Sequence, residues 1–137
     1  MKPLTVIDEN PYRITARRLC EGHLVEYREL LEACQGGVEL GYLYIDGVAI
    51  DSNRKFGGPP LCHNGYLYAP RYERGWFSSG HVLCEIDLQT RAVSELTPRG
   101  RFKWPHRIRQ NLLYFFSGAE RANESFVELP NARPESK

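Results

Sequence analysis

Nowhere in the 137-residue chain do about 18 consecutive apolar residues occur, so the sequence offers no candidate for a membrane-spanning helix. Met1–Asn10 holds one lysine and no apolar run of the kind a secretory signal uses, and a cytosolic location is expected on that ground. Net charge is almost absent too. Eighteen Lys and Arg against 17 Asp and Glu leave +1 at pH 7, which supplies no overall pull toward nucleic acid or a membrane surface. Cysteine is sparse: Cys20, Cys34, Cys62 and Cys84 are widely scattered, and in a reducing compartment they read as four free, mostly buried thiols. No glycine-rich phosphate loop leads into an apparent helix, and no serine sits in a nucleophile-elbow context. These gaps remove the usual signatures of nucleotide and hydrolase sites, and neither enzymatic activity nor a cofactor is expected.

The chain does have the material for a core. Hydrophobic residues make up 42% and aromatic residues 12%, enough for a single domain over residues 1–130 that needs neither disulfides nor a structural metal. After Pro130 the sequence is polar, and 131–137 is expected to be a flexible tail. Charge is unevenly spread. Eight acids and five bases occupy residues 1–50, whereas five bases and no acid lie between Thr97 and Arg109.

Period-2 patterning dominates, so the expected fold class is mainly β: antiparallel hairpins in an open curved sheet or small sandwich. Tyr12–Glu21 alternates as a half-buried strand up to Gly22. In His23–Cys34, Leu24, Tyr27, Leu30, Leu31 and Cys34 follow a 3–4 spacing that favours one short amphipathic helix over a second strand turning at Glu21–Gly22. Two short runs flank Asp46–Gly47, a pair suited to a tight hairpin turn. Further strands are expected at Asn64–Ala69, His81–Leu88 and Ala92–Leu96, with a last pair formed by Ile108–Phe116 and Ser125–Leu129. Phe56-Gly-Gly-Pro-Pro60 reads as a structural loop, because two prolines remove the N–H groups that a ladder or a phosphate cradle uses. Asn64–Leu96 also resembles the outer hairpin of a β-propeller blade, although a chain of this length cannot close a propeller alone.

Cys20-x-x-His23 and His81-x-x-Cys84 have zinc-like spacing, but residues three apart on a strand point to opposite faces, and no metal is expected. Cys62 and His63, as neighbours, face opposite ways and make a poor nucleophile–base pair. Glu85 and Asp87 share a strand face as paired carboxylates do, yet Asp87 precedes a turn whose backbone it can bind.

Two segments read as binding surfaces. Arg71–Gly80 is expected as a ten-residue loop between strands, in which Arg71, Tyr72, Arg74, Trp76 and Phe77 supply the residue types enriched at interface centres. In the other, Arg99, Arg101, Lys103, Trp104 and Arg107 interleave bases with an aromatic ring, which suits phosphate contact and base stacking.

With Phe56-Gly-Gly-Pro-Pro-Leu61, Tyr66-Leu-Tyr-Ala-Pro70 and Val82-Leu-Cys-Glu-Ile-Asp-Leu88, the chain resembles the small β-rich immunity proteins of bacterial toxin–immunity systems. That resemblance implies a cytosolic, stoichiometric inhibitor of a cognate toxin; it carries over no binding residues by position. The leading expectation is therefore a protein-binding module. A nucleic-acid-binding domain and a subunit of an oligomeric propeller-like assembly are the alternatives.

Overall fold

The computed structural model describes residues 9–32, 37–75 and 79–130, and these are mainly β, antiparallel throughout, with no helix among them. A first sheet comprises β1 (Arg17–Cys20), β2 (His23–Glu32), β3 (Glu39–Ile45) and β4 (Val48–Ala49). The second runs through β5 (Leu61–His63), β6 (Tyr66–Arg74), β7 (Ser79–Asp87) and β8 (Val93–Glu95), and the third through β9 (Lys103–Arg109), β10 (Leu112–Ser117) and β11 (Glu124–Glu128). Every strand pairs with its neighbour in sequence.

The sheets stack with the second in the middle. Leu67, Ala69, Val82, Cys84 and Ile86 on one of its faces join Val25, Tyr27, Leu43 and Ile45 of the first sheet in one core. Tyr68 and Leu83 on its other face join Leu113 and Phe115 of the third sheet in a second core. Burial on both faces shows in β7, which is buried without a break from Val82 to Ile86, the polar Glu85 included. The Phe56 segment joins the first two sheets edge to edge, exchanging backbone hydrogen bonds with Gly41 on one side, while Gly57 N and Tyr72 N bond across to Pro70 O and Lys55 O. Phe56 itself is fully buried.

Four hairpin turns share one geometry. Both central residues have positive φ at Glu21–Gly22, Asp46–Gly47, Asn64–Gly65 and Gln110–Asn111, the left-handed conformation that matches strand twist. The Asp46–Gly47 hairpin is as expected. Gln110–Asn111 has no glycine to announce it, so the single strand expected over Ile108–Phe116 is instead the end of β9, a turn and β10.

The helix expected within residues 23–34 is a strand, β2, as far as Glu32; Ala33 and Cys34 lie outside the described residues. Its 3–4 spacing comes from a bulge. Val25 and Tyr27 point into the core with period 2, the register with β3 then slips between Arg28 and Leu31, and Glu29 takes φ 57°. The extra residue brings Leu30 back to the core and leaves Leu31 outside. Tyr12–Ala16 is likewise not strand: Asn10 and Arg13 close a tight turn, and Ile14 N and Thr15 N donate to the carboxylates of Glu39 and Glu9 instead of to a ladder.

The cysteine expectation is corrected in one pair. Cys20 on β1 and Cys62 on β5 form a disulfide with a Cα–Cα distance of 6.0 Å, across 42 residues of sequence. Stacking of the first sheet on the second brings their edge strands together, which sequence spacing cannot show. Cys84 is a buried thiol, and burial pushes its pKa up to about 12; Cys34 lies outside the described residues.

Candidate functional site: a braced hairpin

β6 and β7 form a nine-residue ladder from Tyr66↔Asp87 to Arg74↔Ser79. Their outer strands are short: β5 pairs with Tyr66–Tyr68 and β8 with Cys84–Ile86. The far half of the hairpin thus extends past both and is fixed by other means.

On one face the brace is ionic. Arg71 is 4% exposed and donates to Asp51 at 2.8 Å, to Glu73 at 2.6 Å and to Glu95. Arg54 holds Glu73 from the outside at 2.5 Å. Burial works against the Arg71 charge, but the hydrogen bonds it donates to Glu73 and Glu95 more than offset it and raise the pKa further above the ordinary arginine value. On the other face the brace is aromatic: Tyr72 meets its cross-strand partner His81 edge-on at 5.5 Å, and His81 meets Phe102 in the same way at 5.1 Å. Backbone bonds between His81 and Gly100 close this side, and a Cβ at Gly80 would lie 2.7 Å from Arg99 Cγ, so only glycine permits the approach.

His81 is the strained member. Its Nδ1 is buried without a hydrogen-bond partner, and burial, with help from the nearby Lys103 cation, pulls its pKa from 6.5 down to about 4. Between those two values the unfolded chain binds a proton at His81 that the folded chain does not, so stability falls as pH drops from about 6.5 toward 4. His81→Phe keeps the ring contacts and removes the titration. Melting temperatures of the variant should therefore fall less over this window than those of the parent, and superimposable acid limbs would show that His81 does not couple to folding.

The segment 71–80 is accordingly not the ten-residue loop expected. Arg71–Arg74 belong to β6 and Ser79–Gly80 to β7, leaving residues 75–78 as the connection. Arg71 is an internal brace, not a contact residue; Tyr72 is half-buried against His81; Arg74 is exposed beside the connection. Trp76 and Phe77 lie outside the described residues.

The basic segment does not assemble as one surface. Lys103 is buried and its ammonium donates to the carbonyls of Arg101 and His81, while Trp104 is buried against Phe116 with the Arg121 guanidinium over its ring. Arg107 lies over the Tyr114 ring and pairs with Glu124; Arg99 and Arg101 are exposed ahead of β9.

The other candidate groups are held in structural contacts. Cys20 is consumed by the disulfide, and His23 Nδ1 bonds Asp46 at 2.6 Å. Asp87 accepts hydrogen bonds from Gln89 N and Thr90 N in its turn, and the buried Glu85 accepts one from Tyr68 Oη. Among the described residues no group of three or more His, Cys, Asp or Glu is placed to hold a metal ion, and no helix is long and apolar enough to cross a membrane.

Sequence reading missed the outward face of the third sheet. There Arg107, Tyr114 and Phe126 form one cross-strand row, with Phe126 61% exposed. Leu112–Phe116 is apolar at every position, so nothing in it distinguishes the residues that face the core from those that face out. No family profile matches this chain, and no curated protein or solved structure is found to be similar to it.

Proposed function

We propose that the protein is a non-catalytic protein-binding module that acts as a stoichiometric inhibitor of a cognate protein, in the manner of the immunity proteins it resembles. The observation that carries this reading is the β6–β7 hairpin, braced on both faces by the Arg71 cluster and the Tyr72–His81–Phe102 stack. A hairpin fixed in this way loses little freedom on docking, and pre-organisation of this kind strengthens binding. The exposed Arg74, together with Trp76 and Phe77 in the connection, supplies the arginine and aromatic chemistry of an interface anchor that enters a cleft. A cytosolic site of action goes with Cys20 and Cys62 held there as thiols, a condition tested below.

The test is a pull-down from the native host at endogenous expression, followed by measurement of complex formation with the protein recovered. Arg74→Ala and Trp76→Ala should each weaken the complex by about 2–4 kcal/mol while melting temperatures stay near the parent's. A complex indifferent to both substitutions removes the hairpin as the docking element, and the absence of any complex removes the inhibitor reading.

A further inference from the structure

The outward face of the third sheet is ordered by strand. Ile108, Leu113, Phe115 and Val127 turn toward the second sheet, so their neighbours turn away. β9 then presents Arg107 and Arg109, with His106 stacked on Phe116 at 4.2 Å; β10 presents Leu112, Tyr114 and Phe116; β11 presents Glu124, Phe126 and Glu128. The face therefore carries a basic stripe, an apolar stripe and an acidic stripe side by side. Cross-strand register divides it into three rows: Arg109–Leu112–Glu128, Arg107–Tyr114–Phe126 and Trp104–Phe116–Glu124.

From this order we propose that a second copy of the chain docks face to face on β9–β11, related by a two-fold axis that runs parallel to the strands above β10. Such an axis exchanges the two edges of the sheet and leaves position along the strands unchanged. Each basic stripe then meets the acidic stripe of the other copy, and the apolar stripes meet each other. Two rows match individually: Arg109 faces Glu128, Leu112 faces its own counterpart, and Arg107 faces the Phe126 ring; in the third row Glu124 is already held by His106 and Arg107 of its own copy. Self-complementarity of one patch is the requirement for a two-fold interface, and sheets packed with strands within about 30° of parallel satisfy it here without rearrangement. Three strands of five to seven residues make a small contact, so the dimer belongs to the weak class and assembles at about micromolar concentration or above.

Sedimentation equilibrium on the full chain from micromolar to millimolar concentration tests this with two charge reversals. Arg109→Glu and Glu128→Arg each place like charges opposite one another twice in the dimer, and each should weaken it by about tenfold or more. Mixing the two variants restores both opposite-charge contacts, so the mixture should dimerise where neither variant does alone. Both positions are exposed, and circular dichroism of each variant should match the parent. A parent that stays monomeric at millimolar concentration overturns the proposal, as does a dimer indifferent to both reversals or a mixture no more associated than its components. If the monomeric parent instead binds a protein recovered from the native host in a manner sensitive to Arg109→Glu, the face belongs to that partner. The hairpin reading stands or falls separately, because Arg74 lies on another sheet, at the end of β6.

Discussion

Arg71→Ala is expected to destabilise the protein by about 2–3 kcal/mol, since it removes a buried guanidinium whose carboxylate partners range from largely buried at Glu73 to solvent-screened at Glu95. The substitution leaves the carboxylates of Asp51, Glu73 and Glu95 converging on a site with no guanidinium between them. Arg54 remains on Glu73 and softens the loss there. Arg71→Lys preserves the charge but not the fork that reaches three acceptors, so it belongs between the parent and the alanine variant. Urea denaturation with an unchanged slope is the measurement. Arg74→Ala, three residues along the same strand but exposed, provides the contrast and should stay within about 0.5 kcal/mol. A loss below about 1 kcal/mol for Arg71→Ala would mean that the cluster does not brace the hairpin.

Breaking the Cys20–Cys62 link by Cys62→Ser should cost about 4 kcal/mol, since the chain-entropy relation grows with the length of the loop closed and this bond spans 42 residues. The reduced parent should behave like the variant. Protein taken directly from its native host into an alkylating reagent should show two modifiable thiols after denaturation, those of Cys34 and Cys84. Four modified thiols would mean that the bond does not form where the protein resides. That outcome would agree with the cytosolic expectation, while two would place maturation in an oxidising environment.

The fold class was readable because its signals are local. Asp46–Gly47 announces its turn, the apolar and β-branched runs are short, and Asp87 sits where an aspartate caps a turn. The failures have two physical sources. One is local irregularity: the β2 bulge shifts a period of 2 toward a helical spacing, and Gln110–Asn111 makes a left-handed turn without glycine. The other is contact across sheets. Nothing near Arg71 in sequence identifies Asp51 and Glu95 as its partners, so a buried cation read as a surface anchor, and Cys20 gives no sign of Cys62. Exposure of Arg74 was legible, whereas the three stripes of the outward face became visible only once strand register was known.

Nearest-neighbour pairing in all three sheets also bears on how the chain leaves the ribosome. Each hairpin can close through contacts between residues near one another, which keeps contact order low for an all-β chain. Yet the middle sheet requires cover on both faces. When β1–β4 have emerged, Val25, Tyr27, Leu43 and Ile45 have no opposing layer until β6 and β7 arrive, and those strands in turn expose Tyr68 and Leu83 until β10 is made. The nascent protein thus carries a travelling apolar face at its newest sheet, which is where a chaperone would engage it and where premature release would turn it toward aggregation.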